Sequence, residues 1–354
     1  MDDQALIRTY GNTDLPDGTP DRPLVTFALF AYNQEKYIRE AVEGAFSQTY
    51  SPLEIILSDD CSTDRTFEIM EEMAREYKGL HKVVARRQRE NSGLFKHFIS
   101  VFAIANGAIT VVAAGDDYSL PERADQVFKA LNNNPNFAAA CSSVERIDKD
   151  STPLGTYSPP LMERIGFLYG PMDHILGCSA AYITKYVKEI SKFAADDIAE
   201  DAFLSHILQI QGFRIFRIKA PLVRYRIAEN NQSIIKSASL KYSDYLSAEH
   251  RKRRRLTLNY NTYLSIEQYS HLIDVSLRKR PLDRNRLLHH LKRISSMLRP
   301  YSPGAAFDLG FLMSAIGDLE ILKFVLPRIF GLRFSYFLFL ILGTIKSATR
   351  LGRT

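Results

Sequence analysis

The chain has 354 residues, with 46 Lys and Arg against 40 Asp and Glu and a net charge of +6. A hydrophobic fraction of 45% with 24% charged residues suits one large domain or two smaller ones and excludes a disordered or fibrous polymer. Cys61, Cys141 and Cys178 are far apart and odd in number, which excludes zinc spacing, argues against a disulfide framework and suits a reducing compartment.

Met1 to Asp21 is polar and rich in Gly, Pro and Asp, and no signal peptide opens it. Residues 1–22 therefore read as a loose arm. From Leu24 to about residue 225, strands and helices alternate. Val25 to Phe30 reads as a strand. Glu35 to Gln48 reads as a helix, with Ile38, Ala41, Val42, Ala45 and Phe46 on one stripe. Leu53 to Leu57 is a strand, followed by a helix over Asp64 to Tyr77 with Ser62 or Asp64 as its N-cap. His81 to Ala85 is a short strand and Phe95 to Ala105 a helix. Ile109 to Ala113 is a strand, Pro121 to Asn132 a helix opened by proline, and Phe137 to Ser142 a strand. The alternation predicts an α/β fold, a mostly parallel sheet flanked by helices, over residues 23–232.

Residues 233–354 read as a helical region that associates with membranes or with a second copy. Ser239 to Ser276 and Arg284 to Met297 carry helical patterns. Basic residues gather at His250 to Arg255 and from Arg278 to Arg299. They make either a solvated helix face or a contact for anionic lipid or a polyanionic substrate. No nucleic-acid motif accompanies them. Residues 311–347 are apolar, but the run Ser335 to Leu342 is shorter than the roughly 20 residues that span a bilayer. It reads as a buried helix or as an interfacial one flanked by Lys346, Arg350 and Arg353.

Chemistry concentrates at strand ends. The run Ile109 to Gly115 closes on Asp116-Asp117. Two carboxylates at the tip of a buried strand are costly to desolvate without a positive partner, and a divalent cation carrying a phosphate is one such partner. The first strand delivers Phe30-Ala31-Tyr32-Asn33-Gln34-Glu35 to the same edge, and the second delivers Asp59-Asp60. Asp59 and Asp64 also suit a purely structural role at a helix N-terminus. A further cluster, Asp196-Asp197-Ile-Ala-Glu200-Asp201, opens a helix continued by Leu204, Ile207 and Leu208. On position alone these acids are more simply helix-opening charges.

Taken in order, Val25 to Asn33, Ala45 to Tyr50, Glu54 to Asp64, Asn91-Ser92-Gly93, Gly115-Asp116-Asp117 and Leu120-Pro121 resemble the family 2 nucleotide-sugar glycosyltransferases of GT-A fold. The resemblance implies a nucleobase held by Ala31, Tyr32 and Asp60, with Phe30 and Glu35 also among the nucleotide-binding residues. It implies a nucleotide bordered by Asn91, Gly93 and Lys96, with Asp116 beside Gly115 near the ribose. By the same resemblance Asp117, with Asp116, holds Mg²⁺ or Mn²⁺, the hard cations that take oxygen ligands. Glu200-Asp201-x-x-Leu204 resembles the catalytic motif, which makes Asp201 the general base and Glu200 its orienting neighbour, with Asp196 and Asp197 as fallbacks. Gly177-Cys178 resembles the segment between acceptor and donor sugar, and a plain turn is an equal alternative. Arg224 and Arg226, in a polar loop after a strand, suit contact with the diphosphate, with ordinary surface charges as an equal alternative; Arg226 or another group would hold the diphosphate.

Two positions depart from the family pattern. Ala114 stands where an earlier acid is common, and Ala228 stands where a histidine commonly supports metal or pyrophosphate. The implied partners are a nucleotide-sugar donor, UDP-linked first, and a glycan or lipid-linked acceptor. The implied location is cytoplasmic, at the inner face of a bacterial membrane, in surface-polysaccharide synthesis. The alternative is a non-catalytic nucleotide-sugar-binding or scaffold member. Rossmann, P-loop and Gly-x-Ser-x-Gly signatures are lacking.

Overall fold

The computed structural model describes residues 6–14, 18–132, 134–158, 175–191 and 200–227. In chain order the elements are β1 (Leu6–Gly11), β2 (Gly18–Thr19), β3 (Arg22–Pro23), β4 (Val25–Ala31), α1 (Ile38–Phe46), β5 (Leu53–Asp59), α2 (Thr66–Glu76), β6 (Lys82–Arg87), α3 (Leu94–Ile104) and β7 (Ile109–Ala114). There follow β8 (Tyr118–Ser119), α4 (Arg123–Asn132), β9 (Phe137–Ile147), β10 (Pro153–Tyr157), a 3-10 turn over Gly177–Ser179, β11 (Ala180–Ile183), α5 (Thr184–Ser191), α6 (Glu200–Ile210) and β12 (Arg214–Arg226).

One mixed sheet runs β1-β6-β5-β4-β7-β11-β9-β12-β8, with β10 beside β9. Strands β6, β5, β4 and β7 are mutually parallel, while β11 runs antiparallel to both β7 and β9. Every residue of β4 and β5 is buried, as parallel strands covered on both faces must be. On one face Phe27, Leu29, Ile55 and Leu57 pack against Ile38, Val42, Met70, Val127 and Leu131 of the helices. On the other, Phe98 stacks on Phe30 at 5.5 Å and on Phe102 at 4.5 Å. Each such buried side chain contributes roughly 1.5–3 kcal/mol. This core leaves the carboxyl ends of β4, β5 and β7 open to carry polar loops.

The N-terminal arm differs from the expectation. Leu6–Gly11 forms β1, paired antiparallel to β6 from Leu6↔Arg87 to Gly11↔Lys82, and β2 with β3 makes a short hairpin. Without β1, strand β6 would end the sheet with unpaired backbone groups. Glu71 of α2 fastens the strand through Arg8 and through Tyr10 at 3.3 Å. Polar composition hid a strand held by backbone bonds and one carboxylate. Strand β9 is longer than its apolar run, and β12 is a thirteen-residue strand with no simple alternation. Helix α2 opens at Thr66, and Asp64 serves its first turn by accepting the Thr66 N–H at 3.0 Å. No helix among the described residues is long and apolar enough to cross a membrane. The expectations for residues 233–354 lie outside the described residues.

Candidate active site

The register of the sheet brings three strand ends together. Ala31 pairs with Asp59 on one side, and Phe30 pairs with Ala114 on the other. The backbone continues the pairing past the strands: Asp60 donates its N–H to the Ala31 carbonyl at 3.0 Å, and Gly115 donates to Phe30 at 2.9 Å. Tyr32, Asp60 and Asp116 therefore follow adjacent strand ends at one edge of the sheet, where open α/β sheets bind ligands.

Two of the connecting turns are locked to each other. Asn33 and Cys61 both take left-handed backbone, with φ of 52° and 62°. Such turns need side-chain support in residues other than glycine. It comes crosswise: Asn33 Oδ1 accepts from the Thr63 N–H at 2.8 Å, and Ser62 Oγ accepts from the Asn33 N–H at 2.8 Å. Glu35 joins the same lattice, since its Oε2 accepts the Arg65 N–H at 3.2 Å. Asp59 is fully buried, accepts from the Ser62 N–H at 2.9 Å and lies 3.5 Å from Arg87; its role is structural. Burial raises its pKa, and the Ser62 bonds and Arg87 pull it back.

Asp60 turns its carboxylate toward the Asn-x-Gly segment. It accepts from Ser92 N–H at 3.0 Å, Ser92 Oγ at 2.9 Å and Gly93 N–H at 3.0 Å. Asn91 Oδ1 takes a second bond from the Gly93 N–H at 3.0 Å. Two motifs about thirty residues apart are thus one unit, with Gly93 at φ 81° just before α3. Tyr32 and Lys96 are exposed. Phe30 is different: its ring is interior, edge-on to His97 at 5.3 Å, so it shapes the floor instead of offering a face to a ligand.

The acid pair follows β7 in a tight turn, with the Asp117 N–H on the Ala114 carbonyl at 3.2 Å. Asp117 is 4% exposed. Its Oδ1 accepts the backbone N–H of Arg226 at 2.8 Å, while the buried Oδ2 meets no nitrogen or oxygen partner among the described residues and the carboxylate lies beside the Cys178 thiol. Burial first, and the neighbouring Asp116 charge second, hold Asp117 well above the ordinary carboxylate range. Burial also raises Asp116, against the pull of Arg226 and Gln34. A buried carboxylate oxygen without a nitrogen or oxygen partner, beside a second carboxylate, fits a hard divalent cation. Among the described residues no group of three His, Cys, Asp or Glu gathers as a complete cage. A cation here would take one or two carboxylates and complete its shell with phosphate and water, as Mg²⁺ does.

Gly115 leaves room for a side chain the sequence did not single out. A Cβ there would stand 2.4 Å from Gln34 Oε1 and 3.0 Å from the Ala31 Cβ. Arg123 was likewise missed. It is fully buried behind the acid pair, donating to Ser119 Oγ at 2.8 Å, the Val112 carbonyl at 2.6 Å and the Cys178 carbonyl at 3.0 Å. Burial lowers its pKa to about 10, although the Cys178 and Asp117 charges oppose this. Nothing in the local pattern of an amphipathic helix marks an arginine that turns inward.

The second acid pair opens α6 as expected, and the Ala202 N–H donates to Asp201 Oδ1 at 2.6 Å. A Cβ on Gly177 would lie 3.5 Å from Glu200 Oε1 and 3.6 Å from Asp201 Oδ2. The next residue, Cys178, feels Asp117: burial and then the Asp117 charge push its thiol well above the usual range. The 3-10 turn therefore touches Glu200-Asp201 with one residue and neighbours Asp117 with the next. Burial, then the Asp201 charge, push Glu200 up to about 8. Tyr182 on β11 is raised by burial and by the same two carboxylates.

Arg226 corrects the expectation of a polar loop. It closes strand β12, is 1% exposed, and its guanidinium donates to protein acceptors. Nε meets the Asp116 carbonyl at 3.0 Å and Nη2 meets Glu40 Oε2 at 2.7 Å. Diphosphate contact would break these bonds. Asp196, Asp197 and Ala228 lie outside the described residues.

Residues 26–191 match the model of Glycosyl transferase family 2. These residues are similar to that family over a little under half of the chain. An uncharacterized protein of Mycobacterium tuberculosis is 35% identical over 142 residues, which is 40% of this chain and 40% of that protein. The match thus spans well under half of that relative. An uncharacterized glycosyltransferase of Methanocaldococcus jannaschii is 26% identical over 255 residues, 70% of this chain and 85% of the other. Among solved structures, S. aureus TarS with UDP-GlcNAc aligns over 87% of this chain and 92% of its own, at 16% identity and a TM-score of 0.49. The mannosyltransferase PcManGT of Pyrobaculum calidifontis with GDP-Man and Mn²⁺ aligns over 91% and 89%, also at 16% identity and a TM-score of 0.49.

Proposed function

We propose that the protein transfers a sugar, with inversion, from a nucleotide-diphosphate donor to a hydroxyl of a saccharide or lipid-linked glycan. A UDP-sugar is the first choice of donor. One observation carries the proposal: the 3-10 turn over Gly177–Ser179 lies between the buried Asp117 carboxylate, which Cys178 neighbours, and the second carboxylate pair, which Gly177 neighbours. The first suits the phosphate end of a donor and the second suits proton removal from an acceptor.

In this scheme Asp117, helped by Asp116, holds Mg²⁺ or Mn²⁺. The bound ion would offset negative charge on the departing nucleoside diphosphate. Tyr32, Ala31 and the Asp60–Gly93 unit border the nucleotide. Asp201 accepts the proton of the acceptor hydroxyl as that oxygen attacks the anomeric carbon. Glu200, pushed up to about 8 by burial and by the Asp201 charge, stands beside that base as its orienting neighbour. The acceptor enters near Gly177, where the lack of a side chain leaves room beside Glu200 and Asp201.

The setting is bacterial surface-polysaccharide synthesis at the inner face of the membrane, with residues 311–354 as the membrane contact. The family resemblance and the basic, apolar C-terminal sequence support it. A non-catalytic, sugar-nucleotide-binding role is the rival, favoured by Ala228, which can neither ligate nor donate. Incubating the full chain with a panel of nucleotide sugars, acceptors and divalent metal separates the two. Metal-dependent turnover of at least one donor is expected; binding without turnover across the panel favours the rival.

A further inference from the structure

We infer that Arg226 is a positioning residue for the metal-binding acid pair: it sets the Asp116-Asp117 turn from below without touching substrate. This rests on the proposed cation at Asp117. Three separate segments converge on the one side chain. Its backbone N–H holds Asp117 Oδ1 at 2.8 Å, and its Nε holds the Asp116 carbonyl at 3.0 Å. Its Nη1 reaches the Asp148 carbonyl at 3.2 Å, the Lys149 carbonyl at 3.3 Å and Ser151 Oγ at 3.0 Å, all in the turn between β9 and β10. Its Nη2 pairs with Glu40 of α1 at 2.7 Å, and the Tyr37 ring lies 4.4 Å from its central carbon.

The geometry divides the work between backbone and side chain. The backbone bond occupies Oδ1, so the carboxylate plane is fixed and Oδ2 is the oxygen left for a cation. The guanidinium bond fixes the carbonyl of the preceding residue, so the peptide joining the two acids cannot rotate. Lysine would keep the charge but not the planar fork that reaches three segments at once.

The test uses the full-length protein and Mn²⁺, followed by electron paramagnetic resonance with and without UDP. Arg226→Lys is expected to weaken Mn²⁺ binding by about 10- to 100-fold, the usual effect of losing a residue that orients a ligand. UDP affinity in EDTA should stay unchanged, a result that general unfolding would not give. Glu40→Gln weakens one contact at the half-exposed end, and should lower Mn²⁺ affinity by about two- to tenfold while the fold holds. Wild-type Mn²⁺ affinity in Glu40→Gln and in a folded Arg226→Lys overturns the inference. If Asp117→Asn also binds Mn²⁺ normally, the cation assignment itself falls, and this inference falls with it; if Asp117→Asn alone loses Mn²⁺, only the role of Arg226 is wrong.

Discussion

The N–H of Arg226 and Oδ1 of Asp117 meet at 2.8 Å across 109 residues of sequence, and this bond joins the last described strand to the tip of β7. It explains how an acid pair can be held at a buried strand end. One oxygen is satisfied by backbone, the preceding carbonyl by a guanidinium, and the remaining buried oxygen meets no nitrogen or oxygen partner among the described residues. Satisfying some groups while leaving one unpaired is expensive in a core and is found where a ligand completes the set.

The Asp60 carboxylate tethers Ser92 and Gly93, so its loss should loosen that segment first. Asp60→Asn is expected to speed amide exchange at residues 92 and 93 by about tenfold or more, given the strength of hydrogen bonds to charged acceptors. Nucleotide affinity should fall in the same variant. Exchange at wild-type rates, measured by hydrogen–deuterium mass spectrometry, would separate the two motifs again.

A methyl group at Gly115 is predicted to displace the Gln34 side chain. In Gly115→Ala the new Cβ meets Gln34 Oε1 at 2.4 Å. Overpacking of this kind costs about 1–3 kcal/mol. Adding Gln34→Ala should restore part of that stability, because the two sites share one space. Additive losses in urea titrations would show that the clash lies elsewhere.

These two cases show what the sequence could and could not convey. The alternation of elements, the three strand tips and the helix-opening pair Glu200-Asp201 were legible because periodicity and local motif are properties of short stretches. Strand β1 was not, since its pairing with β6 rests on backbone groups common to every residue. Arg123 and Arg226 look like surface charges in any short window. Only the return of β12 beside β9, and the burial that follows, turns Arg226 inward. Gln34 was hidden for the same reason: its relation to Gly115 crosses two strands.

Glu200 gives a pH-dependent prediction. Its pKa in the folded protein, about 8, lies above the ordinary 4.5. The folded state therefore holds the proton more tightly. Stability from this group is complete below about pH 4.5 and is lost as pH rises through 8. Glu200→Gln cannot ionise, so its melting temperature relative to wild type should increase steadily between those limits. A difference independent of pH would mean that Glu200 does not hold a proton beside the second carboxylate.

The C-terminal sequence is predicted to carry the membrane contact. Deleting residues 311–354 should abolish co-sedimentation with vesicles containing anionic lipid. Full-length protein that stays in the supernatant at low salt would sink the idea.

The central claim is that Asp201 removes the acceptor proton, and transfer by Asp201→Asn tests it most directly. With an active donor and acceptor pair, turnover should fall by about 10²–10⁴-fold, the usual contribution of a general base. Calorimetry should find nucleotide affinity unchanged. Turnover equal to wild type in the folded variant would contradict the account and remove Asp201 from the chemistry.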